Sequence, residues 1–439
     1  MQKDVGSNRE FIPIIFLSIL WAVGRSTIFS FLSYFGVVIG ASPLEQGVLT
    51  SVRNLGSNAF QSFWGWLADL RSRKLVLFIG LLTLAGCTFI LPFVETPLQL
   101  VVLSLILTTI GFAFIPAWNA FLGDYAKERT RGTFIGRINS IGTAVSIFTI
   151  LIMGILMTVY EESLGLPFAQ AKEAFFTPFL SATLFFVLGI IVLFFLVERY
   201  QSKRGMVKEE SHISWKTLIS RNPPFRRLLP IDSFFKFAMS TAWPIFPFVV
   251  LSVVDSWFMV SITWVSFNIP RALGQSYGGS LSDRYNRKII LWMSRMLYPT
   301  VPICYAIGLI SGNPWVFVIA GFPGGLAFGA EETSLATYSL DCSTEDTKAR
   351  YFSFLLTAEG IAAFAGSLVA GFIMDILLRI TGITYKDAGF ATILFIMLAV
   401  IAILRIISGL MHGFIYPNPL DFSLDLELAL STPKDGIKL

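Results

Sequence analysis

About twelve apolar stretches, each close to the ~20 residues with which an α-helix crosses a ~30 Å hydrocarbon core, take up most of this chain. They run approximately over residues 11–39, 44–68, 75–95, 98–123, 133–160, 175–198, 228–254, 257–282, 289–310, 314–340, 351–378 and 389–411. Backbone polar groups have no water to meet inside a bilayer, so each stretch must satisfy its own hydrogen bonds as a helix. Composition points the same way: 54% of residues are hydrophobic and 14% charged, against roughly 25% charged in soluble domains. The expected class is an all-α integral membrane protein.

A ten-residue segment between two of these stretches, Gly65-Trp-Leu-Ala-Asp69-Leu-Arg71-Ser-Arg73-Lys74, returns as Gly279-Ser-Leu-Ser-Asp283-Arg284-Tyr-Asn286-Arg287-Lys288. The match extends upstream at a constant offset, pairing Asn54 with Asn268, Gln61 with Gln275 and Ser62 with Ser276, and one helix further back Ser26-Thr27 with Ser240-Thr241. The chain therefore reads as two related halves, 1–198 and 228–411, joined by a hydrophilic linker at 199–227 and followed by a tail at 412–439.

A loop of the form Gly-x-x-x-Asp-Arg-x-Gly-Arg-Lys, repeated in this way, resembles the signature of the major facilitator superfamily of secondary transporters. Gly65, Asp69, Arg73 and Lys74 match it in the first copy, and Gly279, Asp283, Arg284, Arg287 and Lys288 in the second. Leu70 replaces the usual base, while Ser72 and Asn286 replace the turn glycine. Ser suits a left-handed backbone less well than Gly or Asn, so the first loop is expected to turn differently. The resemblance implies twelve transmembrane helices in two pseudo-symmetric six-helix bundles that rock about a central site. It also implies that the nine loop residues just named gate the cytoplasmic side, and that the third, sixth, ninth and twelfth helices are peripheral.

Charge distribution sets the orientation. With both termini cytoplasmic, the outside loops hold only Lys172, Arg379 and Lys386 of the 33 Lys and Arg, which is the positive-inside asymmetry. It accounts for the net charge of +5 without a nucleic-acid partner, since the bases are scattered over short loops. A cell-membrane location and a monomer are expected. The first apolar run exceeds a signal-peptide core and is expected to remain as the first span. Cys87, Cys304 and Cys342 form no CxxC pair, so neither a disulfide framework nor a zinc site is expected. No Gly-Lys dipeptide, and hence no phosphate-binding loop, occurs. The two histidines, His212 and His412, fall in segments expected to be cytoplasmic. Neither enzymatic activity nor a cofactor is expected.

The linker mixes Lys203, Arg204, Lys208, Lys216, Arg221, Arg226 and Arg227 with bulky Ile213, Trp215, Leu218 and Ile219. Both an amphipathic helix at the anionic inner leaflet and a solvated linker with a short helix fit it. The tail reads as mostly disordered.

Charges within spans carry the functional information, because one at mid-membrane is costly unless it faces protein or water. Arg25 and Arg53 have no acid one turn away, which makes them candidates for an anionic substrate. Lys236 follows Asp232 by four residues, the spacing of an ion pair on one helix. Asn54, Asn58, Gln61, Asn268, Arg271 and Gln275 complete the expected substrate cavity. Asp232, Glu331, Glu332 and Glu359 are proton-coupling candidates, as a desolvated carboxylate can exchange a proton near neutral pH. Of Glu331 and Glu332, about 100° apart on a helix, one is expected to face the cavity. Arg295 and Arg405, near inner ends, are expected to snorkel. Bends are expected at Pro244 and Pro247 and at Gly324-Gly325. One base on equivalent turns of the first helix of each half, Arg25 and Lys236, is similar to the organic-phosphate exchangers of the family. By contrast, Ile110 to Pro116 lacks the base of the drug/proton antiporters, and their Gly-Pro motif is absent.

The preferred reading is a proton-coupled secondary transporter of a small organic anion or zwitterion. The alternatives are a drug or metabolite exporter or a facilitator of a neutral solute, and behind these a lipid translocase or a non-transporting sensor.

Overall fold

A computed structural model describes residues 8–125, 131–198, 222–342, 348–385 and 387–416. Most of the linker, the tail from residue 417, and Lys386 lie outside the described residues, so the amphipathic-helix reading of the linker does too. Among the described residues all regular structure is helical.

The first apolar stretch forms α1 (Asn8–Val38), which turns at Gly40 (φ 86°) into α2 (Pro43–Ala59). Ser42 and Glu45 form a capping box there, with Pro43 in the first turn. A break at Phe60 separates α2 from α3 (Gln61–Leu70). Then follow α4 (Arg73–Ile90), α5 (Pro97–Thr109), α6 (Phe114–Tyr125), α7 (Arg131–Ser163) and α8 (Phe176–Phe194). Beyond the linker come α9 (Pro223–Ser240), α10 (Phe246–Leu251), α11 (Trp257–Arg284), α12 (Arg287–Leu297), α13 (Thr300–Ser311), α14 (Trp315–Asp341), α15 (Lys348–Thr381) and α16 (Gly389–Met411).

Among the described residues, seven spans are long and apolar enough to cross a bilayer: 11–38, 73–93, 97–122, 141–163, 172–194, 354–381 and 389–414. The other five expected stretches are helical as well, but they are interrupted or carry charged and polar groups in their middles. Those are the features that lower hydropathy where a helix faces protein or water instead of lipid. Leu98, Phe148, Phe194 and Ile380 are exposed apolar residues on the hydrophobic spans, as a lipid-facing surface requires. The chain is a multi-pass membrane protein.

Pro244 and Pro247 do accompany a break, since α9 ends at Ser240 and α10 starts at Phe246. Gly324-Gly325 does not break its helix, and α14 runs through it. The glycines of this seam let two backbones touch: a Cβ on Gly321, Gly325 or Gly329 would overlap α11 backbone at Phe267 or Arg271, and one on Gly274 or Gly278 would overlap α14 near Leu326 or Ala330. Nor is a left-handed residue needed in the repeated loops. Ser72 (φ −162°) caps α4 by accepting from the Leu75 amide, and Asn286 (φ −65°) caps α12 by accepting from the Lys288 amide.

Helices α1 to α8 pack on one another, α1 against α7 and α8, and α4 against α8. Helices α9 to α16 do likewise, α9 against α15 and α12 against α14. Among the described residues two main lines of contact join the sets, α2 to α15 and α7 to α11, with a smaller one from α1 to α10. Both main lines rely on small residues: Gly47 lies against Ser367 and Gly371, and Gly154 against Trp257 and Ser261.

Candidate functional site

Between the two sets lies a cavity of about 510 Å³, within the size range of small-molecule sites. Its wall includes Arg25, Arg53, Asn54 and Asn58 from α1 and α2, and Lys236, Glu331 and Glu359 from α9, α14 and α15. Aromatic side chains fill much of the remainder, among them Phe29, Tyr34, Trp243, Trp264, Phe267 and Tyr305. Sequence patterning did not single these out, because aromatic residues in an apolar helix look the same whether they face lipid or a ligand.

Arg53 donates to the Ser33 hydroxyl at 2.8 Å and stacks on Phe29 at 4.7 Å. Among the described residues neither Arg25 nor Arg53 has a carboxylate partner. Arg25 lies within electrostatic reach of Arg271 and Glu332.

On the opposite wall the charges interlock. Lys236 is 3.2 Å from Glu331 and 3.5 Å from Glu359. Its expected partner one turn back, Asp232, is fully buried and pairs with Arg295 of α12 instead. Arg295 also donates to Glu331 at 3.0 Å, and the Tyr298 hydroxyl donates to the other oxygen of Glu331 at 2.6 Å. Arg295 is thus no snorkelling residue but one of the most deeply buried side chains, lying over the Phe235 ring and against His412. His412, expected in a cytoplasmic segment, is fully buried too, with Nδ1 at 2.8 Å from the Ser408 carbonyl. Arg405, likewise buried, donates to the carbonyls of Tyr298 and Met239, next to the breaks in the ninth and seventh stretches. In each case a fixed protein partner replaces the headgroup region as the solvent for the guanidinium.

Other expected cavity residues do not reach its wall. Arg271 and Gln275 both meet Glu332, at 3.0 and 2.9 Å. Asn268 and Gln61 donate to carbonyls of their own helices, Trp264 and Ser57. Residues 268, 271 and 275 share one face of α11, and sequence alone does not fix which way that face is turned. Glu332 is half-exposed while Glu331 is buried on the cavity wall.

In the repeated loops, Arg73 donates to the Ala120 carbonyl at 2.6 Å, and Glu198 accepts from the Ser72 hydroxyl and the Arg73 amide at 2.6 and 2.7 Å. Lys74 donates to the Leu196 carbonyl at 2.9 Å. Arg287 pairs with Asp341, while Arg284 is exposed. Gly65 is not packed tightly enough to demand a glycine, as a Cβ would meet only Pro116 at 3.7 Å. The side chains of Asp69 and Asp283, and with them Gly279, lie outside the described residues. Every one of these contacts stays within its own set of helices.

The opposite end is closed across the sets. The Ser51 hydroxyl donates to the Phe364 carbonyl at 2.7 Å, Asn54 reaches Ser367 at 3.3 Å, and the Phe258 amide donates to Thr158 at 3.0 Å. Trp257 is fully buried among Phe31, Tyr34, Phe168 and Phe175, with ring centroids 4.9 to 6.5 Å away.

Comparison with known proteins agrees with this architecture. The family model described as Major Facilitator Superfamily matches residues 14–261. The multidrug resistance protein MdtG of Salmonella arizonae is 24% identical over 343 residues, covering 76% of this chain and 80% of that protein. Among solved structures, a mutant of the nucleoside transporter NupG superimposes with a TM-score of 0.72 at 14% identity, over 92% of this chain and 100% of that one. A bacterial homolog of the human lysosomal transporter Spinster, inward-facing and unoccupied, gives 0.70 at 15% identity, over 96% and 99%.

Proposed function

The chain belongs to the Major Facilitator Superfamily and is a membrane transporter, not an enzyme; on that footing we propose that it carries a small organic anion or zwitterion by alternating access, driven by protons. The observation that carries this reading is the cavity itself, with Arg25 and Arg53, which have no carboxylate partner among the described residues, on one wall and Lys236 between two carboxylates on the other. Bases with no buried counter-ion favour an anionic solute, and carboxylates beside them supply groups that can take up and release a proton.

In this reading residues 1–198 and 228–411 are the two moving bundles. Both termini are cytoplasmic, in the plasma membrane, and the protein acts as a monomer. The closed end at Trp257 then faces outward, and the cavity opens toward the basic loops. Alternating access requires the contacts of Gly47 and Gly154 to part while Asp69, Arg73, Lys74, Asp283, Arg287 and Lys288 close the inner side.

Export of drugs is a second reading, favoured by the aromatic lining and by the likeness to multidrug resistance proteins. Purified protein in liposomes, tested with an imposed pH gradient across organic acids, sugars, amino acids and lipophilic cations, separates the two. Accumulation of an organic acid that collapses with a protonophore is the expected result. Accumulation of lipophilic cations alone would favour export, and transport indifferent to the gradient would refute proton coupling.

A further inference from the structure

Two buried carboxylates in the cavity region each keep one oxygen without a donor among the described residues. Asp232 gives one oxygen to Arg295, and Glu359 approaches Lys236 at 3.5 Å. Their other oxygens, Asp232 Oδ2 and Glu359 Oε1, are buried with no hydrogen-bond partner among the described residues, and the two side chains lie within hydrogen-bonding range of each other. Two acceptors in this position are satisfied together by one shared proton. Glu331 differs, since it already has Lys236, Arg295 and the Tyr298 hydroxyl as donors and gains nothing from protonation.

The groups facing Glu359 are few. Helix α9 presents Lys236 and Asp232, and α14 presents Glu331. Beside Gly360, α2 presents the uncharged Asn58, its Arg53 being turned to Ser33. Arg405 of α16 is occupied by backbone carbonyls. Three acids thus face two bases, Lys236 and Arg295, with the buried His412 ring against Arg295 on the side of Asp232; with that ring neutral, one bound proton balances the cluster. That proton loosens the hold of Glu359 on Lys236 and leaves the whole cavity one charge more positive. A monoanion bound at the same time restores the charge of the empty cavity.

Resting on the transporter reading above, we propose that the Asp232 and Glu359 pair carries the driving proton and that this proton and an aromatic organic anion occupy the cavity together, so that the protein is an anion–proton symporter. The anion lies between Arg25, Arg53 and Lys236, and its ring packs against Trp243, Trp264 and Tyr305. Because linkage is reciprocal, the anion raises affinity for the proton as much as the proton raises affinity for the anion. A cation would compete with the proton instead, which is the logic of an antiporter.

The test uses the full chain in detergent with 2-naphthoate, 2-naphthamide and 2-naphthylmethylammonium as probes, followed by quenching of cavity tryptophan fluorescence and by a pH dye in weak buffer. Naphthoate stays ionised between about pH 5.5 and about pH 7.5. It should bind best of the three, take up about one proton per molecule bound, and tighten by up to about tenfold per unit of falling pH. Glu359→Gln should bind naphthoate with the acid-pH affinity at every pH and take up no proton. Proton release on naphthoate binding, tighter binding of the ammonium probe, no naphthoate binding at millimolar concentration, or an unchanged proton count in Glu359→Gln would each overturn the proposal. The wild-type proton count holds even if the variant does not fold. If naphthoate binds with proton uptake but no probe crosses liposome membranes, this site stands and the transporter reading fails. If the ammonium probe is driven across by proton exchange, the opposite holds.

Discussion

Asp232 on α9 and Arg295 on α12 form an ion pair in which neither side chain is exposed. Removing one member leaves the other charge buried, which costs about 3–5 kcal/mol. Arg295→Met should therefore lower the thermal unfolding temperature in detergent sharply, and adding Asp232→Leu should recover much of the loss. A single variant as stable as the parent would show that the pair is not what holds α9 to α12.

Trp257 fills an aromatic socket made by Phe31, Tyr34, Phe168 and Phe175. Trp257→Ala should remove about 3–5 kcal/mol of packing and loosen the closed end. A cysteine placed at Ser33 on the cavity wall should then react with an impermeant thiol reagent added from the outside. Equal labelling in the presence and absence of Trp257 would mean that the seal lies elsewhere.

Arg53 offers a solute a guanidinium with no competing carboxylate among the described residues. Arg53→Ala should weaken binding of an anionic solute by roughly 1.5–3 kcal/mol, or about tenfold to a hundredfold, while leaving a neutral analogue nearly unaffected. Equal losses for both analogues, measured by equilibrium binding, would assign Arg53 to packing against Phe29.

Where α11 meets α14, a side chain at Gly325 would overlap the Phe267 carbonyl. Gly325→Leu should cost more than the ~1–3 kcal/mol typical of overpacking, because backbone must move. Gly324→Leu has only the Val301 side chain at its closest approach and should be milder. Comparing the two in one thermal series tests the reading of this pair as a crossing point rather than a hinge; equal tolerance would refute it.

Much of this was legible in the sequence for stated reasons. Charges inside apolar runs are costly, so Arg25, Arg53, Lys236, Glu331 and Glu359 had to face protein or water, and all five line the cavity. Pairing was not legible. The four-residue spacing of Asp232 and Lys236 shows which groups can meet along one helix, but not that Arg295 arrives from another and takes the acid. For the same reason Arg295 and Arg405 looked free to reach the headgroups. A glycine pair in an apolar helix fits a bend as well as a close crossing, and only the neighbouring backbone decides. The rotation of α11, which keeps Asn268, Arg271 and Gln275 off the cavity wall, depends on partners far away in the chain.

Backbone touching backbone from Gly274 to Gly329 leaves α11 and α14 no room to slip past one another. They form a single strut, with Arg287 just beyond one end of it and Glu331 along its length. In the alternating-access reading proposed above, the two helices would travel as one body, carrying Glu331 and the Arg287–Asp341 pair along with them.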